Sequence, residues 1–109
     1  MSEEQKLQGY RVIGKVEDFT SFPAPVTIDY DPYYIVKDES AEGEPSFRLI
    51  CGICPHAGGI VSVHGDEFIC PLHYWMFDIQ TGESTNMPGA ALDCQPLEVI
   101  DGQYLLKQA

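Results

Sequence analysis

Two short motifs hold most of the side chains in this sequence that can bind a metal: Cys54-Pro-His56 and Cys70-Pro-Leu-His73. Each sets a thiol and an imidazole close together on a loop stiffened by proline. With Cys51 and His64 they fill one window from Cys51 to His73, and only Cys94 lies outside it. Two thiolates and two imidazoles suit either a tetrahedral zinc ion or a two-iron cluster of mixed ligation. A second zinc arrangement, Cys51-x2-Cys54 with Cys70-x2-His73, has zinc-ribbon spacing; it uses Cys51 and leaves out His56.

The two motifs must be brought together, and the run between them does this. "AGGIVSVHGDEFI", residues 57–69, reads as two strands joined at Gly65. A hairpin centred there sets residue 57 opposite 73 and residue 60 opposite 70, so the two Cys/His loops lie side by side at its base. His64 falls at the hairpin tip, a solvent-exposed turn position. The rest of the chain continues in short runs rich in Val, Ile, Tyr and Phe. They span Tyr10–Val16, Val26–Tyr30, Tyr33–Lys37, Phe47–Ile50, Ile60–Val63, Glu67–Ile69, Trp75–Ile79, Leu97–Ile100 and Gln103–Leu106. Pro and Gly punctuate them at regular spacing, which predicts an all-β antiparallel sandwich or small barrel. A turn or two of helix fits only near Val16–Phe22, where Glu17 and Asp18 suit an N-terminus. Asp38–Ser46 reads as a solvated hairpin tip. Ser84–Ala91 is a second exposed loop, with a turn at Pro88-Gly89.

Composition removes several classes of function. A chain of 109 residues makes one domain, with no room for a second catalytic or nucleotide-binding unit. Its 17 acidic and 6 basic residues give a net charge of −11, so no basic stripe for nucleic acid or anionic membrane can be assembled. No run of apolar residues is long enough to span a bilayer. No secretory signal opens the sequence, so the expected setting is the reducing cytoplasm, where cysteines serve as ligands or free thiols. No Gly-rich dinucleotide fingerprint follows a strand. Three histidines are too few for a cluster and a mononuclear iron site together, so an oxygenase active site is excluded.

The spacing C-x-H…C-x2-H resembles the Rieske [2Fe–2S] family, and "CPLHYWMFDIQTGE" extends the likeness through an aromatic strand to a Thr-Gly-Glu turn. The resemblance implies that Cys54 and Cys70 hold one iron and His56 and His73 the other, with two sulfides bridging. It implies a base of about six strands with a cluster-binding lobe, roughly Ile50 to Gly82, inserted in a single domain over residues 1–109. It places the two histidines at the exposed edge, and a third loop with Pro88 and Gly89 over the cluster. Gly58 and Gly59 are candidates to offer backbone N–H groups to a sulfide. Tyr74 and Trp75 are read as core and cover, and Cys51 and Cys94 as spare thiols packed as small hydrophobes.

Departures from the family set the subtype. High-potential respiratory members carry a disulfide between the loops, where this chain has Leu72. They also place Ser and Tyr after the second histidine, where Trp75 and Phe77 stand here. Fewer donors to the sulfurs leave the reduced cluster less stabilised, so the expected potential is at the low end of the family, about −150 mV. The chain thus resembles the soluble ferredoxins that pass one electron from a flavin-containing reductase to a terminal oxygenase. It is also similar to small subunits of assimilatory nitrite reductases. A structural zinc module is the third reading.

Overall fold

A computed structural model describes residues 9–38, 45–55, 58–72 and 74–107. Among these the regular structure is nine strands and one 3-10 turn, Val16–Asp18. The strands are β1 (Tyr10–Lys15), β2 (Ala24–Ile28), β3 (Asp31–Asp38), β4 (Ser46–Cys51) and β5 (Ser62–His64), then β6 (Glu67–Ile69), β7 (Met76–Asp78), β8 (Cys94–Ile100) and β9 (Gln103–Lys107). Six form one antiparallel sheet in the order β1-β9-β8-β4-β3-β2, and β5-β6-β7 form a second. All nine correspond to the runs read from the sequence, and the architecture is all-β, as expected.

Turn chemistry fixes the two base hairpins. In β2–β3 the loop residues Asp29 and Tyr30 both take positive φ, as do Asp101 and Gly102 between β8 and β9. That pair of left-handed residues matches the right-handed twist of the flanking strands. The β5–β6 hairpin differs by one residue from the expected pairing. Ser62 faces Ile69, Val63 faces Phe68 and His64 faces Glu67, because the turn takes both Gly65 and Asp66. His64 is exposed, as expected.

Strands β3 and β4 bury both of their faces, which explains their consecutive apolar pairs. Ile35 and Leu49 pack with Ala24, Leu97 and Tyr104 on the base side. Their neighbours Val36 and Ile50 pack with Phe68, Phe77, Cys54 and Cys70 on the other. The described residues between β4 and β8 that join this second cluster are thereby seated on the back of the base sheet. Polar contacts fasten the junction. Arg48 on β4 donates to the Gln80 carbonyl at 2.5 Å and to Asp38 at 3.2 Å, and Gln80 Nε2 donates to the Lys37 carbonyl at 3.1 Å. Asp38 is therefore a half-buried strand residue paired with Ser46 across the ladder, not part of a solvated tip. Residues 39–44 of that loop lie outside the described residues.

Candidate metal centre

The two cysteine loops are the same backbone structure made twice. In the first, the Cys54 N–H donates to the Gly59 carbonyl at 2.7 Å and the Gly58 N–H to the Cys54 carbonyl at 2.9 Å. In the second, the Cys70 N–H donates to the Trp75 carbonyl at 2.9 Å and the Tyr74 N–H to the Cys70 carbonyl at 2.9 Å. Each loop thus closes on its cysteine from the residues four and five positions on. The fourth residue is left-handed in both, Gly58 at φ 70 and Tyr74 at φ 56. His56 and His73 lie inside these closed turns in sequence, but both are outside the described residues, as is Ala57.

The thiols themselves are brought together and shielded. Cys54 is 2% exposed and Cys70 is fully buried, both in one cluster with Phe68, Phe77, Val61 and Leu92. A Cβ placed on Gly59 would lie 2.8 Å from the Cys70 Sγ. The first loop therefore runs against the second loop's sulfur with no space between. Behind them Tyr34 stacks on Phe68 with ring centroids 4.8 Å apart and donates through its hydroxyl to the Val61 carbonyl at 3.2 Å.

Cys51 and Cys94 are separated from this pair in different ways. Cys51 ends β4 next to Ile50, and side chains alternate along a strand. Ile50 faces the cluster that holds Cys54 and Cys70, so Cys51 points to the opposite side. That side is away from Cys54, which speaks against the zinc-ribbon set. Cys94 packs against the edge of the cysteine-containing core, and burial pushes its thiol above the ordinary value. Both are free thiols of intermediate exposure.

The sequence reading missed what holds the third loop. Asn86 accepts from the Met76 N–H at 2.9 Å and donates to the Tyr74 carbonyl at 3.0 Å. Ser84 donates to the Met76 carbonyl at 2.8 Å and accepts from the Met87 N–H at 3.0 Å. Loop 84–91 is thus tied to the exit of the second cysteine loop, with Pro88 and Gly89 forming a turn closed by Ala90 N–H on the Met87 carbonyl. A polar residue two positions before Pro88 was the only sequence signal. Two expectations change. The Gly58 N–H is directed at Cys54, so it serves the turn and not a sulfide. Tyr74 is 71% exposed, so only Trp75, packed on the cysteine core, fills the role of core and cover.

A family model for the Rieske [2Fe–2S] domain matches residues 9–98. The chain belongs to this family. Its cofactor is accordingly the [2Fe–2S] cluster of the Rieske domain, and its coarse role is that of an electron-carrying domain. Solved structures agree in fold. The ferredoxin of carbazole 1,9a-dioxygenase from Nocardioides aromaticivorans IC177 is 21% identical, with a TM-score of 0.61 over 94% of this chain and 100% of that one. A Sphingomonas yanoikuyae B1 ferredoxin is 20% identical, with a TM-score of 0.62 over 91% and 98%. A protein described as the NADH-dependent nitrite reductase small subunit of Mycobacterium tuberculosis is 14% identical, with a TM-score of 0.58 over 92% and 95%. Among curated proteins none matches significantly. Among the described residues no helix is long and apolar enough to cross a membrane.

The residues of this Rieske domain fit its cluster. Two buried thiols on facing turns, each followed in sequence by a histidine two or three residues on, are the donor set that such a cluster takes. Phe77 lies in the core that holds the thiols and Trp75 packs against it; neither brings a hydroxyl.

Proposed function

We propose that this protein is a one-electron carrier between a flavin-containing reductase and a terminal oxygenase. In this reading Cys54 and Cys70 hold the inner iron, and His56 and His73 the outer one. The observation that carries it is the pair of equivalent closed turns, each presenting one buried cysteine and one histidine in sequence. When bound, the cluster supplies a reversible one-electron couple; the chain supplies everything else. Its backbone ladders hold the two thiols, and its apolar core keeps water from them. The histidine-bearing segments lie in sequence between each cysteine and the left-handed residue that ends its turn.

A coulometric titration tests this directly. Uptake of one electron per chain at about −150 mV is expected, since Trp75 and Phe77 bring no hydroxyl to the sulfurs where the high-potential members have Ser and Tyr. Absence of reversible uptake in protein reconstituted with iron and sulfide would overturn the carrier reading.

Substitution separates the ligand sets. Cys51→Ala is expected to retain iron and colour, whereas His56→Ala or Cys54→Ala loses them. Iron and sulfide analysis of the purified variants decides, and the reverse pattern would restore the ribbon arrangement.

The charge of −11 predicts steering toward a basic partner. Transfer to ferricytochrome c, a basic acceptor, is expected to slow roughly tenfold or more between low salt and high salt, read by stopped flow. A salt-independent rate would contradict it.

The nitrite reductase small-subunit reading is favoured by a different outcome. It predicts that the protein co-purifies with a large subunit in a complex that survives high salt, and the carrier reading predicts a free protein.

A further inference from the structure

Loops 54–60, 70–75 and 86–91 contain no Asp, Glu, Lys or Arg, although these types make up 21% of the chain. All 17 acidic and 6 basic residues lie elsewhere. The same loops carry a group of exposed large apolar side chains: Tyr74 at 71%, Ile60 at 60%, Leu72 at 54% and Met87 at 37%. The contacts already described set the loops that carry them side by side. Gly59, next to Ile60, abuts Leu72, and Asn86, next to Met87, is bonded to Tyr74. An uncharged apolar centre within an acidic chain has the anatomy of a protein interface core with a charged surround.

Tyr74 is the member with a structural oddity. It occupies the position that Gly58 fills in the first loop, and does so at φ 56, a conformation that disfavours any residue with a bulky side chain. Nothing inside the protein requires the ring, because it points to solvent. The Asn86 amide instead brackets the residue, bonding the Tyr74 carbonyl and the next-but-one N–H. A strained backbone held by a dedicated clamp, with its side chain unused by the fold, points to a role for that side chain outside the molecule.

We infer that Tyr74, held outward by Asn86 and next in sequence to His73, is the anchor by which the protein docks a redox partner whose contact face is apolar at its centre and basic at its edge. The inference rests on the carrier reading above. Aromatic side chains are the usual interface anchors because they bury large area at low entropic cost. The acidic charge outside the loops complements a basic edge on the partner. A second copy of this chain, carrying the same charge of −11, does not.

The test compares the native protein with Tyr74→Phe and Tyr74→Asn, each loaded with cluster and reduced. Asn tolerates the left-handed corner and removes the ring; Phe keeps the ring. Transfer is followed to ferricytochrome c, whose haem edge is ringed by lysines, and to ferricyanide, which needs no docking. Tyr74→Asn is expected to slow the cytochrome reaction about tenfold, the loss of one anchor contact of about 1.4 kcal/mol. Tyr74→Phe should stay within about twofold, and neither should change the ferricyanide rate, the reduction potential or the EPR signal. If Tyr74→Asn does not fold, Tyr74→Gly replaces it, since Gly takes positive φ without penalty. An unchanged cytochrome rate with a normal EPR signal would overturn this inference alone. A homodimer that dissociates on losing the ring would also overturn it. No Rieske signal in the native protein would overturn the carrier reading, and the inference with it.

Discussion

Gly59→Ala is expected to strip this protein of most of its cluster while leaving the base sheet folded. The new methyl would stand 2.8 Å from the Cys70 Sγ and 2.9 Å from the Leu72 side chain. Leu72 is exposed and can swing away. Cys70 cannot, because it is fully buried and its N–H and carbonyl are both bonded within its turn. The loops must therefore separate, at a cost of about 1–3 kcal/mol for overpacking a close-packed site. If that cost falls on the loaded state, affinity for the cluster drops roughly 5- to 150-fold. Gly58→Ala makes an informative companion. Open space surrounds that position, so its penalty comes only from the left-handed backbone, and Gly58→Asn should relieve much of it. Iron content after purification and the rate of bleaching under chelator check both. A Gly59→Ala protein that keeps its colour as long as the native one would contradict the facing-loop geometry.

Phe68→Ala is expected to be the most destabilising single substitution among the described residues between β4 and β8. The ring is fully buried on the central strand of the three-stranded sheet, packed with Cys54, Cys70 and Phe77 and stacked on Tyr34. Truncating such a ring costs about 3–5 kcal/mol. At about 4–8 °C per kcal/mol for a domain near this size, the unfolding midpoint should fall by more than about 10 °C. Leu49→Ala, in the base core, costs a comparable 2–5 kcal/mol but lies away from the thiols. Cluster release at a temperature below both midpoints should therefore be faster in Phe68→Ala than in Leu49→Ala. Calorimetry paired with absorbance reads both quantities, and equal release rates would show that Phe68 supports the fold without supporting the cradle.

The strands were legible because their signals are local: β-branched and aromatic runs broken by Gly and Pro. The pairing of β4 with β8, which seats the cysteine loops on the base sheet, was legible only through the family resemblance. It joins segments on either side of a long insertion, and no residue in either strand names its partner. The doubled apolar pairs Ile35-Val36 and Leu49-Ile50 did carry the fact that β3 and β4 are covered on both faces. The hairpin register was missed by one residue because a turn of Gly65 alone and one of Gly65 with Asp66 look alike in sequence. The equivalence of the two cysteine loops was hidden by chemistry: Gly58 and Tyr74 share a backbone conformation but no side-chain property. Asn86 was invisible for a similar reason, since a single amide reveals its two backbone partners only when the loop is folded against them. Asp38 was misread because the charged composition of its loop outweighed the cation of Arg48, which reaches it from the neighbouring strand.

The central claim is that these two turns hold a Rieske cluster, and metal analysis with EPR tests it most directly. Protein purified without oxygen would be assayed for iron, acid-labile sulfide and zinc, with spectra taken before and after dithionite. The account predicts two irons and two sulfides per chain, as the family's [2Fe–2S] centre requires, and a Rieske EPR signal that appears only on reduction. One zinc per chain, no colour and no uptake of iron and sulfide on reconstitution would contradict it.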